Sequence, residues 1–156
     1  MPINLDIALA DLPKTTALGA HLAELLQTGD TVLLFGDLGA GKTSLARGMI
    51  ERLTGETDAP SPTFTLVQHY ESDQGFVLLH SDLYRLETEE ELDELGFDEA
   101  LDHGALIVEW PDKAPSFRPE HRLEIVLKPT QLDARMATLT AFGNWTTRLK
   151  DLEHFS

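Results

Sequence analysis

The stretch Thr31-Val32-Leu33-Leu34-Phe35-Gly36-Asp37-Leu38-Gly39-Ala40-Gly41-Lys42-Thr43, followed by Ser44 and the segment to Leu53, decides how this chain is read. An apolar run, Val32 to Phe35, stops at Gly36, and the next eight residues fit the phosphate-loop pattern G-x-x-x-x-G-K-[ST]. Glycines let the backbone take positive φ and bring its N–H groups against phosphate oxygens with no Cβ in the way. Lys42 supplies a point charge for the β and γ phosphates, and the Thr43 hydroxyl is placed to ligate Mg²⁺. Ala46, Met49, Ile50 and Leu53 then recur as one helical face and Gly55 is set to stop the helix, so the positive helix end faces the phosphates. The strand–loop–helix context predicts a nucleotide-binding loop with contacts from Asp37, Leu38, Gly39, Ala40, Gly41, Lys42, Thr43 and Ser44. Lys42 reads as a surface cation over that preformed loop.

Working outward, 156 residues suffice for one domain, 1–156, that buries roughly 70% of its unfolded surface without staples. The chain has no cysteine, which excludes disulfides, thiolate chemistry and sulfur-ligated metal. The N-terminal MPINLDIALADLPK lacks the basic flank and apolar core of a signal peptide, and no apolar run reaches membrane-spanning length. A cytoplasmic protein is expected. With 12 Lys+Arg against 27 Asp+Glu, the formal charge of −15 argues against autonomous nucleic-acid binding. It also makes the basic residues beside the motifs, Lys42, Arg47 and Arg85, worth locating.

Asp11-Leu12-Pro13 predicts a helix start, with Leu18, Leu22, Leu25 and Leu26 as its buried face and Gly29 as its end. Pro60 and Pro62 put a loop at Gly55–Pro62. Thr63–Glu71 and Phe76–Ser81 flank a turn and predict a hairpin, Glu87–Leu101 an acidic helical region broken at Gly96, and Ala105–Val108 a short buried strand. Arg122–Lys128 and Arg135–Phe142 predict two antiparallel strands at one edge of the sheet, and Asn144 can cap a short last helix. The fold class is α/β, a P-loop NTPase fold with a mixed, mostly parallel sheet flanked by helices and an antiparallel C-terminal hairpin.

Three apolar runs end at polar motifs: VLLF before the phosphate loop, FVLL before His80-Ser81-Asp82, and ALIV before Glu109-Trp110. Ligands of open α/β sheets bind at the carboxyl ends of strands. If these runs are parallel neighbours, Lys42, Thr43, Asp82 and Glu109 converge on one site, which is the set a nucleotide triphosphatase needs. Either acid suits holding the metal or orienting the attacking water. His80 is read as tuning Asp82 or as a partly buried ring bonded to backbone. Arg85 either stabilises phosphate charge in cis or pairs with an acid of Glu87–Glu94. Trp110 either covers the site or fills the core. Thr63, in Ser61-Pro62-Thr63-Phe64, either senses the γ-phosphate as a switch loop does or opens a strand. Asp93-Glu94-Leu95-Gly96 mimics the D-x-x-G of GTPases but sits in a helical pattern, and no N-K-x-D motif exists to read guanine.

GDLGAGKT (Gly36–Thr43), SPTFTLV (Ser61–Val67), HSDLYRL (His80–Leu86) and VEWPDK (Val108–Lys113) together resemble the TsaE (YjeE) family. These are bacterial P-loop ATPases of tRNA threonylcarbamoyladenosine (t⁶A) modification. The resemblance covers nearly the whole chain; beyond Pro115 it is one of length and general character. It implies Mg²⁺ ligation by Thr43 and Glu109, a role in hydrolysis for Asp82, Trp110 near the nucleotide, and an approach of Thr15 to adenine. It further implies ATP and Mg²⁺ as cofactors and the TsaB–TsaD heterodimer as partner, with tRNA held only through the complex. A small-molecule P-loop kinase is the alternative, disfavoured by the acidic segment where an arginine-rich lid would lie. A nucleotide-gated binding module that hardly turns over is the third reading, and the strand-end acids weigh against it.

Overall fold

The computed structural model describes residues 2–37, 39–57, 67–73, 75–153 and 155. Thr63 and the rest of the Ser61–Phe64 motif, and Leu38 within the phosphate loop, lie outside the described residues. The elements in chain order are β1 (Ile3–Leu9), α1 (Leu12–Leu25), β2 (Thr31–Phe35), α2 (Lys42–Thr54), β3 (Val67–Glu71), β4 (Val77–Asp82), α3 (Phe97–His103), β5 (Gly104–Glu109), β6 (Arg122–Pro129), β7 (Arg135–Ala141) and α4 (Trp145–Arg148). Short 3₁₀ turns cover Glu89–Glu94, Pro111–Lys113 and Leu149–Leu152. Among the described residues the strands form one seven-stranded sheet in the order β1-β7-β6-β2-β5-β4-β3. β6, β2, β5 and β4 run parallel, β7 and β3 are antiparallel to their neighbours, and β5 is inserted between β2 and β4.

The central strands are continuous apolar runs because both of their faces are covered. Along β2, Val32 and Leu34 enter the core beneath α1 and α2, while Leu33 faces the opposite core around Phe97. β5 divides the same way, with Ala105 and Ile107 on one side and Leu106 and Val108 on the other. The period-2 alternation then carries past the apolar residues: His80, Asp82 and Glu109 continue the face covered by α2.

α1 starts where Asp11 accepts a hydrogen bond from the Lys14 N–H at 2.9 Å and Pro13 occupies the first turn. It packs on α2 with no room for side chains at the crossing. A Cβ on Gly19 would stand 2.3 Å from the Leu45 carbonyl oxygen, and one on Gly48 would stand 2.3 Å from that of Thr16. Gly48→Ala is therefore expected to lose stability by about 1–3 kcal/mol, overpacking outweighing the roughly 1 kcal/mol gain in helix propensity. Urea unfolding checks this, and a stabilised variant would show that the helices separate freely.

Four details depart from the sequence reading. β1 was not foreseen; its inward residues Ile7 and Leu9 are buried, and it pairs with β7 from Ile3↔Ala141 to Leu9↔Arg135. The C-terminal hairpin is accordingly not at the edge, since β6 bonds to β2 and β1 covers β7. α1 ends at Leu25, not Gly29, because Leu26 turns extended and Gly29 donates its N–H to the Gly104 carbonyl at 2.7 Å. Asn144 precedes α4 but makes no side-chain cap. The acidic region does break at Gly96, whose φ of 75° suits glycine, although its first half is 3₁₀.

Candidate active site

Because β2, β5 and β4 are adjacent and parallel, their carboxyl ends open side by side. Glu109 is in register with both Leu34 and Asp82. The phosphate loop leaves β2, and its glycines take the conformations the motif demands: φ is 148° at Gly36, 81° at Gly39 and 104° at Gly41. Gly36 also lacks space, since a Cβ there would lie 2.8 Å from the Leu127 carbonyl oxygen. Around the loop lies a cleft of about 370 Å³ lined by Gly39 to Ser44, Asp82, Glu109 and Trp110. Leu12, Asp133 and Arg135 complete its lining.

At the acidic end, the Thr43 hydroxyl donates to Glu109 Oε1 at 2.9 Å. His80 Nε2 lies 2.6 Å from Glu109 Oε2, and both side chains are buried. His80 thus meets Glu109, not Asp82, and it is wholly buried, which corrects both sequence readings of it. Asp82 is buried as well, and its Oδ1 accepts the Tyr84 N–H at 2.9 Å. The Glu109 carboxylate and Thr43 hydroxyl are the hard oxygen donors that a small divalent cation takes.

Lys42 is not the surface cation expected from sequence; it is only 5% exposed. Its ammonium donates to the carbonyls of Gly36 and, at 3.0 Å, Asp37, and stands 4.0 Å from the centre of the Trp110 ring. Burial lowers its pKa from the usual lysine value, against the pull of the Glu109, Asp82, Asp112 and Asp37 carboxylates, which favour the charged form. Trp110 is half-buried, lining the cleft and packing against the core around Phe97; Tyr84 packs on it at 5.0 Å between ring centres. Its backbone sits at φ 57°, a left-handed conformation uncommon for a bulky residue, so the turn after β5 is held against a local preference.

The chain matches the family model described as "Threonylcarbamoyl adenosine biosynthesis protein TsaE" over residues 9–137. The chain belongs to the TsaE family. A TsaE of Bacillus subtilis is 40% identical over 132 residues, covering 84% of this chain and 82% of that one. A TsaE of Rickettsia felis is 39% identical over 127 residues, covering 81% and 74%. Both are described as tRNA threonylcarbamoyladenosine biosynthesis proteins. The crystal structure of Bacillus subtilis YdiB superposes with a TM-score of 0.78 at 34% identity, covering 97% of this chain and 94% of that one.

Within this TsaE-family chain, the remaining expected site residues scatter. Asp37 is exposed and contributes its carbonyl to Lys42. Thr15 is fully buried on α1, with its methyl toward Gly41, and does not line the cleft; Leu12, a turn earlier, does. Arg85 is exposed beyond β4, outside the cleft lining. The residue that sequence reasoning missed is Arg135. From the start of β7 it donates through Nε to the Ala40 carbonyl at 2.9 Å and through Nη2 to that of Gly39 at 3.1 Å. Through Nη1 it also holds the carbonyls of Leu132 and Ala134, so one guanidinium ties the β6–β7 turn to the phosphate loop. Its signal was weak: one of 12 basic residues, opening a strand far from any motif.

Proposed function

We propose that this chain binds Mg-ATP and hydrolyses it as an accessory ATPase of tRNA t⁶A modification, in the cytoplasm, working with the TsaB–TsaD heterodimer. The observation that carries the chemistry is the Thr43–Glu109 hydrogen bond across the mouth of the loop, with Lys42 and Asp82 beside it. Membership of the TsaE family supports the pathway. No helix among the described residues is long and apolar enough to cross a membrane.

In this reading the loop N–H groups and Lys42 hold the β and γ phosphates, Lys42 turning from the loop carbonyls to the phosphate oxygens. Arg135 fixes the loop, and the cleft beyond it, between Leu12 and Asp133, takes the nucleoside. Thr43 and Glu109 hold magnesium, which when bound neutralises charge on the phosphates. Glu109 suits that task, since both its oxygens are already engaged, one by the Thr43 hydroxyl and the other by the His80 ring. Asp82, fixed through Tyr84 and facing the same cleft, orients the attacking water. Trp110 covers the phosphates. The chain does not itself transfer the carbamoyl group, and its acidity leaves the tRNA to the partner proteins.

Glu109→Ala and Asp82→Asn separate these roles. Calorimetry should find Mg²⁺-dependent ATP affinity lost in the first and largely kept in the second. Hydrolysis in Asp82→Asn should fall by about 10²–10⁴, the worth of a positioned acid–base group. Equal binding defects in both variants would contradict the division. Phosphate release without any added acceptor separates the ATPase from a kinase.

A further inference from the structure

At the strand ends, His80 is a buried side chain to which the scheme above gives no contact with nucleotide, metal or water. The wall of the cleft is formed by Asp82 and Glu109, while His80 lies behind them, 1% exposed. Its position follows from register. β4 and β5 pair with His80 opposite Ile107 and Asp82 opposite Glu109, so His80 stands one pleat deeper on the face it shares with Glu109. From there its Nε2 reaches Glu109 Oε2 at 2.6 Å, while Thr43 takes Oε1.

A carboxylate only accepts, so Nε2 carries the proton and the ring donates. Its other nitrogen, Nδ1, is buried with no hydrogen-bond partner among the described residues. Burying a ring with one nitrogen unsatisfied works against the fold, and an apolar residue would fill the same space without that cost. Among the described residues, the ring's one polar contact is its grip on Glu109. We infer that His80 is a positioning residue: it locks the rotation of the Glu109 carboxylate so that Oε1 faces Thr43 and the cation beside it. This rests on the Mg-ATP reading of the site and assigns the residue that orients its carboxylate ligand.

Glutamine carries its amide nitrogen the same number of bonds from Cα as the imidazole Nε2; asparagine falls one bond short. The test measures ATP affinity in EDTA and in Mg²⁺, and Mn²⁺ binding by electron paramagnetic resonance with ATP present, for wild type, His80→Ala, His80→Gln and His80→Asn. His80→Ala should weaken Mg²⁺-dependent ATP affinity and Mn²⁺ binding by about 10–100-fold, the usual cost of losing a partner that orients a metal ligand. Its affinity in EDTA should stay near wild type. His80→Gln should recover most of the loss and His80→Asn should not. If His80→Ala fails to fold, the glutamine–asparagine pair decides, and equal metal binding by those two overturns the inference. Equal losses in EDTA and Mg²⁺ also overturn it, since they mark a structural role. A wild type whose ATP binding ignores Mg²⁺ sinks the ATPase reading beneath. Mg²⁺ dependence that survives His80→Ala sinks the role of His80 alone.

Discussion

Lys42→Ala should reduce ATP affinity by about 10²–10⁴, because each charge-assisted hydrogen bond lost to phosphate is worth about 1.5–3 kcal/mol and the ammonium makes two or more. The size of the effect comes from where the lysine already sits. It is buried between the loop carbonyls and Trp110, with Glu109, Asp82, Asp112 and Asp37 around it, so the cation is in place before any triphosphate arrives. Swapping carbonyl partners for phosphate oxygens needs little reorganisation of the stem. The same burial means the substitution also exposes two carbonyls at the cleft, so circular dichroism must accompany calorimetry. A folded variant that binds ATP as wild type does would remove the phosphate-loop assignment and everything built on it.

Hydrolysis by the isolated chain should be slow, and the TsaB–TsaD heterodimer should accelerate it by up to about 10³–10⁵, the range seen when an arginine is supplied to a phosphoryl-transfer site. Arg135, the arginine that lines the cleft among the described residues, spends its guanidinium on the carbonyls of Gly39, Ala40, Leu132 and Ala134. Arg85 is exposed and outside the cleft lining. A partner could also act by ordering groups already present. The surface best suited to receive it is Glu87–Glu99, which carries no basic residue and exposes Glu87, Glu90, Asp93, Glu94, Asp98 and Glu99. Reversing charges between Glu87 and Glu94 should cut the stimulation, most of all at low salt, while leaving basal hydrolysis unchanged. The measurement is steady-state phosphate release against partner concentration. A flat response at saturating partner would defeat the coupled reading and return weight to a kinase.

The phosphate loop was legible because its chemistry is written in consecutive residues. The strand-end acids were legible one step less directly: each marks the end of an apolar run, and parallel adjacency of the runs does the rest. What could not be read was mostly the choice of neighbour. The alternation of Ile3, Leu5, Ile7 and Leu9 is a fair strand signal, but its partner β7 lies at the other end of the chain. Leu123, Ile125 and Leu127 alternate with Arg122, Glu124, Val126 and Lys128, a pattern that reports one wetter face and says nothing about position across the sheet. Hence the hairpin looked like an edge when β6 adjoins the central strand β2. The pairing of His80 with Glu109 instead of Asp82 depends on a register between strands, and Arg135 depends on a turn folding back over the loop; neither has a local signature.

The insertion of β5 between β2 and β4 also sets a schedule for synthesis. A chain emerging from a ribosome at about 5–20 residues per second displays its phosphate loop seconds before the strand that must lie beside it exists. Until residue 109 has cleared the exit tunnel, Thr43 has no carboxylate to meet, and β2 and β4 have no strand to join them. Such long-range pairing is slow to form and leaves apolar strand edges bare in the interval. Nucleotide capture by ribosome-bound chains of increasing length would therefore rise in a step, not a ramp, and would time the closing of the sheet.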